Sequence, residues 1–349
     1  MEKGINQRKT EHIRLCLTGD VEGVNKSTGL EGINFIHNAL PEIDFADISL
    51  ESSFLGKQLK APFLVSSMTG GSELATKINQ NLAIAAEEKG WALAIGSTRA
   101  FLESDQHKES FLIRNQAPTA PLIVNIGAVQ LNYGYGPEEC QRIIDKTNAD
   151  SIVLHLNSLQ EAVQDGGDLN FKDLLPKIEQ VCKQVKAPVG VKEVGFGIDG
   201  EVARRLYDAG ISYIDVAGAG GTSWSQVEKL RSKDPLNKAA AEAFNNWGTP
   251  TKDCLVSVRG ELPEAPLVAS GGMKTGVDAA KAITIGADVV GFARHLLKAA
   301  METPEDVIRT MEQLELELKM TMFGIGAVNL EELKNTSRVS IMGQSLMDK

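Results

Sequence analysis

The stretch 266–294 carries the clearest chemical signal in the sequence, because small residues follow both of its apolar runs. The run Leu267–Ala269 leads to Gly271-Gly272, and the second run leads to Ala293-Arg294. Glycine has no Cβ, so its backbone N–H can approach an anion closely. The loops after the last two strands of a (β/α)8 barrel commonly hold a phosphate, so we predict a cofactor phosphate here. Tight packing of a helix on a strand is the alternative explanation for the glycines.

Polar side chains also follow five other apolar runs of strand length. In chain order they are Ser67, Thr69, Ser97, Arg99, Asn125, His155, Asn157 and Lys192. Barrel active sites are built at the carboxyl ends of strands, so these residues predict one shared site. A lysine on a buried strand needs an anionic or electron-rich partner, and a reduced flavin ring would supply one. Pairing of Lys192 with the neighbouring carboxylate of Glu193 is the alternative.

Two further groups of charged residues suggest a bound polyphosphate. Arg8-Lys9, with His12 close by, could neutralise it and fold over a ligand, although a solvated charge cluster is the simpler interpretation of these residues alone. Glu161, next to Gln160, could hold Mg²⁺ together with diphosphate oxygens. Helix capping is the alternative for this pair, and the sequence by itself favours it.

Eight short apolar runs, separated by segments long enough for helices, must position these residues. We predict strands near 61–66, 92–95, 122–124, 152–154, 189–191, 213–216, 267–269 and 288–292. Eight βα units predict a closed (β/α)8 TIM barrel over residues 61–300, inside a single domain spanning 1–349. An N-terminal extension (1–60) and a C-terminal helical segment (301–349) complete it. A doubly wound sheet is disfavoured because no G-x-G-x-x-G follows the first strand.

The connections between the strands carry several further predictions. Long insertions follow the fourth strand (159–170) and the sixth strand (223–263), and the second contains an alanine-rich helix near Lys238–Phe244. A helix is expected near Ser110–Asn115. The amphipathic helix Pro304–Met322 has one apolar stripe, which core packing explains.

Composition excludes several classes of function. The 349 residues are 42% hydrophobic and 23% charged, with a net charge of −10, which argues against a nucleic-acid or anionic-membrane surface. Four scattered cysteines suggest neither a zinc site nor disulfides and fit a reducing cytosol. The sequence shows no signal-peptide pattern and no apolar run that could span a bilayer. We therefore expect a cytoplasmic protein without nucleic-acid or membrane partners.

The positions of the histidines exclude one class of flavin chemistry. No histidine lies between His155 and His295, where flavin barrels that oxidise 2-hydroxy acids need a histidine base. The loop Gly218–Ser225 also lacks the cysteine nucleophile of nucleotide-oxidising barrels.

Taken together, the motifs resemble the type 2 isopentenyl-diphosphate delta-isomerases, FMN-dependent (β/α)8 barrels of isoprenoid biosynthesis. The matching pieces are Arg8-Lys9 with His12, SMTGG (67–71), GSTRA (96–100), Asn125, HLNSLQE (155–161), KEVGFG (192–197), AGAGGTSW (217–224), WGTPT (247–251), SGGMKTG (270–276) and Ala293-Arg294. HLN-x-x-QE and GAGGTSW are specific, whereas SGG is shared with many FMN barrels. The resemblance runs from Arg8 to the C-terminal region in family order.

The resemblance implies a role for each matching residue. The diphosphate would be bound by Arg8, Lys9, Arg99, His155 and Asn157. Gln160 would lie against the allylic carbons of the substrate, acting in catalysis with Lys192, and Glu161 would hold Mg²⁺. FMN would be contacted by Ser67, Met68, Thr69, Ser97, Asn125, Lys192, Thr222, Gly271, Gly272, Met273, Ala293 and Arg294.

The resemblance further implies that reduced FMN moves a proton without net redox change, and that NADPH serves only to reduce the flavin. It also implies a homo-oligomer, a tetramer or an octamer. Another FMN-dependent barrel oxidoreductase, consuming one NAD(P)H per product, is the alternative function. A flavoprotein that binds FMN without catalysis is a third.

Overall fold

The computed structural model describes the backbone of residues 2–104 and 108–341 and the side chains of residues 8–104 and 108–340. Its centre is a closed barrel of eight parallel strands, which confirms the predicted (β/α)8 fold. The barrel strands are β1 (Phe63–Val65), β2 (Ala92–Ser97), β3 (Leu122–Gly127), β4 (Ser151–His155), β5 (Val189–Lys192), β6 (Tyr213–Asp215), β7 (Leu267–Ala269) and β8 (Val289–Phe292). Val290 of β8 lies opposite Phe63 of β1 and closes the ring.

The short apolar strands are buried on both faces because alternate side chains meet different parts of the core. On β1, Leu64 lies in a small cluster with Ile123, Val153 and Val268 from other strands, at the centre of the barrel. Phe63 and Val65 belong instead to the larger core between the barrel and its helices. The alternation of side chains along each strand therefore builds both cores.

The helices surround the barrel and follow the strands in the expected order. They are α1 (Glu2–Thr18), α2 (Glu73–Lys89), α3 (Arg99–Glu103), α4 (Pro137–Thr147), α5 (Ser158–Val163), α6 (Leu174–Gln184), α7 (Gly200–Asp208), α8 (Trp224–Arg231), α9 (Pro235–Glu242), α10 (Thr251–Glu261), α11 (Gly276–Thr284), α12 (Arg294–Glu302), α13 (Pro304–Ile325) and α14 (Leu330–Lys334). Local chemistry sets their ends: Ser72 caps α2 by accepting from the Ala75 N–H, and Gly90 ends it in the left-handed conformation. None of the helices described is long and apolar enough to cross a membrane.

Two small antiparallel ribbons lie outside the barrel. Ser52–Phe54 pairs with Lys57–Leu59, and Phe54 packs edge-on against Tyr213 at the start of β6, so this hairpin covers the amino end of the barrel. Ile33–Phe35 pairs with Val339–Ile341 and joins the N-terminal extension to the C-terminal segment. Residues 342–349 of the predicted C-terminal segment lie outside the described residues.

The structure corrects the helix expected near Ser110–Asn115, which is wrong. A single 3-10 turn at Lys108–Ser110 is found instead. The Ser110 hydroxyl accepts from the Gly71 N–H and its carbonyl accepts from the Asn79 amide, so these contacts hold the segment against α2.

The insertion after β6 is as long as predicted but more helical. It folds into α8, α9 and α10, of which only the alanine-rich α9 was expected, and the insertion after β4 begins with α5. The apolar stripe of α13 is buried in the core, as predicted, with Met311 and Leu318 fully inaccessible.

Candidate functional site

A cavity of about 510 Å³ opens at the carboxyl ends of the barrel strands, and every residue predicted for the site lines it. These residues are Arg8, Lys9, Ser67, Met68, Thr69, Ser97, Arg99, Asn125, His155, Asn157, Gln160, Glu161, Lys192, Thr222, Gly271, Gly272, Met273, Ala293 and Arg294. The structure thus brings the N-terminal cations, the strand ends and the glycine-rich loops into one place. The individual roles of these residues stay predictions.

The glycine-rich loops form a narrow backbone cradle on one side of the cavity. Gly271 has a φ of +98°, and a Cβ there would lie 2.1 Å from the carbonyl oxygen of Gly218. A Cβ on Gly221 would lie 2.6 Å from the Gly272 nitrogen. Only glycine permits this close approach. The N-terminus of α12 begins beside the cradle at Arg294, so its free N–H groups add to the potential for binding an anion.

Three buried hydroxyls at the end of β1 have no hydrogen-bond partner among the described residues. They belong to Ser66, Ser67 and Thr69, and all three residues line the cavity. Buried polar atoms without a partner are rare in proteins, so these hydroxyls fit a polar ring bound against them. The cradle and the hydroxyls together suit the phosphate and the ring of FMN.

Lys192 ends β5 and is almost fully buried. Its ammonium donates to the backbone carbonyl of Glu193, and the described residues include no ion pair between the two side chains. The Glu193 carboxylate instead accepts from the backbone N–H groups of Val194, Gly195 and Phe196 at 2.5–2.7 Å. Burial raises the pKa of Glu193 to about 7. The alternative of a neighbouring carboxylate partner is thus not met by an ion pair to Glu193, but the charge of Lys192 acts on both Glu193 and the buried Asp215, opposing the rise in their pKa that burial causes, and Lys192 lines the cavity.

His155 ends β4 and is held as a neutral ring. Its Nδ1 lies 2.6 Å from Oδ1 of Asn125 on the neighbouring strand. Burial lowers the pKa of His155 to about 3, assisted by the positive charges of Lys192 and Lys9. Because Nδ1 donates to Asn125, Nε2 remains an acceptor near Gly127.

Arg8 and Lys9 lie on α1, which packs against α8 and α12. Neither side chain makes a hydrogen bond or an ion pair with any residue that the structure describes, yet both line the cavity. Burial, with repulsion from Arg8, lowers the pKa of Lys9 to about 8. Glu228 attracts both cations electrostatically and Glu161 attracts Arg8, but no hydrogen bond or ion pair to a described residue fixes either side chain. Cations placed in a cavity in this way point to an anionic ligand, and these residues are not the solvated cluster that their sequence alone suggested.

Arg99 differs from the other two cations because its guanidinium is already paired. It donates to Glu103 at 2.7 Å and to Asp168 at 2.6 Å. Gln130 also donates to Asp168, at 3.0 Å, so the insertion after β4 is tied to β2 and β3 at this point. These contacts orient Arg99 at the rim of the cavity.

Sequence reasoning missed Glu228, which lies on α8 in the insertion after β6 and is 1% exposed. Its Oε1 atom is 2.9 Å from Nε2 of His12 and accepts from Nε2 of Gln160 at 3.1 Å, and Arg231 donates to its other oxygen. Burial alone would raise the pKa of Glu228, but the hydrogen bond from His12 and nearby positive charge hold that pKa below its ordinary value. Glu228 therefore fixes Gln160 in the cavity and connects it to α1.

Glu161 lies one residue further along α5, where three donors surround its carboxylate. Asn157 donates to Oε1 at 2.8 Å, and Gln164 and the Asp168 N–H donate to Oε2 at 3.0 and 2.8 Å. Burial raises the pKa of Glu161 above its ordinary value. The Asn157 Oδ1 atom, beside this carboxylate, accepts no hydrogen bond from any residue that the structure describes. The described residues contain no cluster of three or more His, Cys, Asp or Glu side chains that could hold a metal alone.

Comparisons with known proteins agree with this geometry. Residues 141–340 match the family model of the FMN-dependent dehydrogenases. Isopentenyl-diphosphate delta-isomerase of Nostoc sp. is 48% identical over 329 residues, covering 94% of each chain. The Rickettsia africae protein of that name is 48% identical over 328 residues, covering 94% of this chain and 95% of its own.

Solved structures with a similar fold are flavoenzymes of low sequence identity. A lactate oxidase from Pediococcus acidilactici superposes with a TM-score of 0.69 at 17% identity, covering 98% of this chain and 95% of its own. A flavocytochrome b2 mutant gives a TM-score of 0.70 at 17% identity, covering 95% and 83%. At this identity, the likeness concerns the fold alone.

Proposed function

Because the chain belongs to the isopentenyl-diphosphate delta-isomerases, and by its family model to the FMN-dependent dehydrogenases, we propose that it converts isopentenyl diphosphate to dimethylallyl diphosphate. The conversion uses FMN and Mg²⁺ and involves no net oxidation of the substrate. The whole chain acts as one FMN-binding unit. The observation that carries the proposal is a single cavity that unites the glycine cradle, the cations Arg8 and Lys9, and the pair Gln160-Glu161.

The diphosphate of the substrate binds at the mouth of the cavity. Arg8 and Lys9 supply positive charge that Glu228 and Glu161 compensate only in part, and the Asn157 amide nitrogen, which donates to Glu161, is a further donor nearby. His155 can donate to a phosphate oxygen from Nε2 only when the negative charge of the ligand protonates its ring, against the effect of burial on its pKa. Arg99, oriented by Glu103 and Asp168, completes the set. The buried surroundings strengthen each of these contacts relative to water.

Glu161 would hold Mg²⁺ and thereby help to fix the diphosphate. Mg²⁺ usually takes one or two carboxylates together with phosphate oxygens and water, and one buried carboxylate is what this site offers. The Oδ1 atom of Asn157 lies beside this carboxylate, has no donor among the described residues, and would be a second oxygen ligand. A bound cation also favours the ionised form of Glu161, against the effect of burial on its pKa.

The cradle of Gly271, Gly272, Ala293 and Arg294 would hold the phosphate of FMN. The residues that would contact its ring line the same cavity, and they are Ser67, Met68, Thr69, Ser97, Asn125, Lys192, Thr222 and Met273. The reduced ring supplies electron density that stabilises positive charge developing on the reacting carbons. Lys192 provides the positive charge that holds the ring in its reduced form, and Gln160, fixed by Glu228, orients the reacting end of the substrate.

Three finer properties belong to the same proposal. NADPH reduces the flavin and is not consumed with each turnover. The protein works in the cytoplasm as a homo-oligomer, a tetramer or an octamer. Its ligands are small molecules, and no nucleic acid or membrane takes part.

The experiment is a count of turnovers per reducing equivalent. The purified protein is reduced anaerobically with a measured amount of NADPH and given isopentenyl diphosphate with Mg²⁺, and dimethylallyl diphosphate is quantified. Many products per NADPH support redox-neutral isomerisation. One NADPH oxidised per product identifies the alternative, an FMN-dependent oxidoreductase, which the match to the dehydrogenase family model favours. A protein that binds no flavin refutes both.

A further inference from the structure

The segment that follows α1 places a carboxylate beside the glycine cradle. Glu22 lines the cavity, and its Oε1 atom lies 2.8 Å from a guanidinium nitrogen of Arg294. Its Oε2 atom lies 3.3 Å from the ammonium of Lys274. The backbone of Glu22 also forms an antiparallel bridge with Thr222. The only two cations that extend from the β7 and β8 loops of the described structure into this part of the cavity therefore share one protein carboxylate.

This arrangement conflicts with binding of a phosphate at the same place. A phosphate monoester carries between one and two negative charges near neutral pH, and the cradle that would hold it includes Arg294. A carboxylate on the same guanidinium repels the phosphate and competes with it for the same donors. Arg294 also donates to the carbonyl oxygen of Cys16 at 2.7 Å, so it holds the last turns of α1 as well.

We propose that Glu22 is an internal competitor for the phosphate of FMN, which lowers the affinity for the phosphorylated cofactor and ties its binding to the N-terminal segment. The inference rests on the proposed use of FMN. When the phosphate takes Arg294 and Lys274, the Glu22 carboxylate loses its partners and turns to solvent. The Kd for FMN is therefore higher than it would be without Glu22, so FMN dissociates more readily.

The test is a titration of the flavin-free full-length protein, followed by quenching of flavin fluorescence. FMN and riboflavin are compared, because they share the ring and differ in the phosphate. Glu22→Gln removes the charge and keeps the size of the side chain. We expect the Kd for FMN to fall by about tenfold, which corresponds to about 1.4 kcal/mol, and the Kd for riboflavin to stay unchanged. Asp20→Asn is the matched control, since it removes the same charge from an exposed position two residues away.

An unchanged or weaker FMN affinity in Glu22→Gln overturns the inference, because it shows that Glu22 orients Arg294 for the phosphate or does not matter. Unchanged riboflavin binding shows that the variant is folded. Glu22→Ala must show the same gain in FMN affinity as Glu22→Gln. If the wild-type protein binds neither flavin, the proposed function fails as well. Wild-type binding of FMN without any effect at Glu22 refutes only the competition.

Discussion

Replacing Glu228 by glutamine tests whether the contact between α8 and Gln160 matters for turnover. The amide of Glu228→Gln keeps the shape of the side chain but loses the charge that His12, Gln160 and Arg231 share. A hydrogen bond to a charged group contributes about 1.5–3 kcal/mol. If that energy serves to orient Gln160, its loss lowers kcat by roughly ten- to a hundredfold, since each 1.36 kcal/mol is about a factor of ten.

The assay measures kcat and KM for isopentenyl diphosphate at saturating FMN and Mg²⁺, together with the flavin content of the protein. We expect kcat to fall while the flavin content stays at the wild-type level, because the hydrogen bonds of Glu228 in the described part of the chain go to His12, Gln160 and Arg231, none of which is predicted to bind the flavin. Glu242→Gln is the control: this carboxylate pairs with Lys229 on the exposed side of the same insertion, and its removal should leave kcat unchanged. A wild-type kcat in Glu228→Gln would refute the reasoning.

Three further perturbations follow from the geometry of the cavity. The ammonium of Lys9 is charged below its pKa of about 8 and neutral above it, so kcat/KM should fall as the pH rises through about 8. Lys9→Arg should move this fall to higher pH, because arginine keeps its charge. A kcat/KM that does not fall in this pH range contradicts the role of Lys9. Glu161→Gln should raise the Mg²⁺ concentration needed for half-maximal activity, at least about tenfold, in a Mg²⁺ titration; an unchanged requirement excludes Glu161 as the ligand. Gly271→Ala places a Cβ 2.1 Å from the Gly218 carbonyl oxygen, which costs about 1–3 kcal/mol of strain. We therefore expect a lower Tm and less retained FMN. Gly260→Ala, where a Cβ meets nothing within 4 Å, is its control and should leave both unchanged or raise Tm.

Local sequence signals were sufficient to predict the barrel and most of the cavity. Each strand is a short apolar run followed by a polar or glycine residue, and parallel strands of a closed barrel bring those ends together. Gly271, His155 and Lys192 could therefore be assigned to one site before any contact was known.

The parts that the sequence did not reveal depend on contacts between distant segments. Glu228 looks like an ordinary helix carboxylate until α8 packs between α1 and α5. Glu22 follows α1 without any motif, and its partners lie on the loops after β7 and β8. The helix expected near Ser110–Asn115 failed for the same reason, because hydrogen bonds from Gly71 and Asn79 outweigh local helix propensity. Pairings of this kind carry no periodicity that a single sequence could show.

The ribbon between Ile33–Phe35 and Val339–Ile341 has a consequence for the order of folding. Its two strands come from nearly opposite ends of the chain, so the N-terminal strand finds its partner only after the ribosome has made the whole barrel. Long-range pairing of this kind forms slowly, because its loop-closure entropy must be offset by contacts made first. During synthesis the N-terminal strand therefore stays exposed as an unpaired edge. The helix α1, which carries Arg8 and Lys9, packs on α8 and α12, so a nascent chain completes its cation pair only after all eight barrel strands have been made.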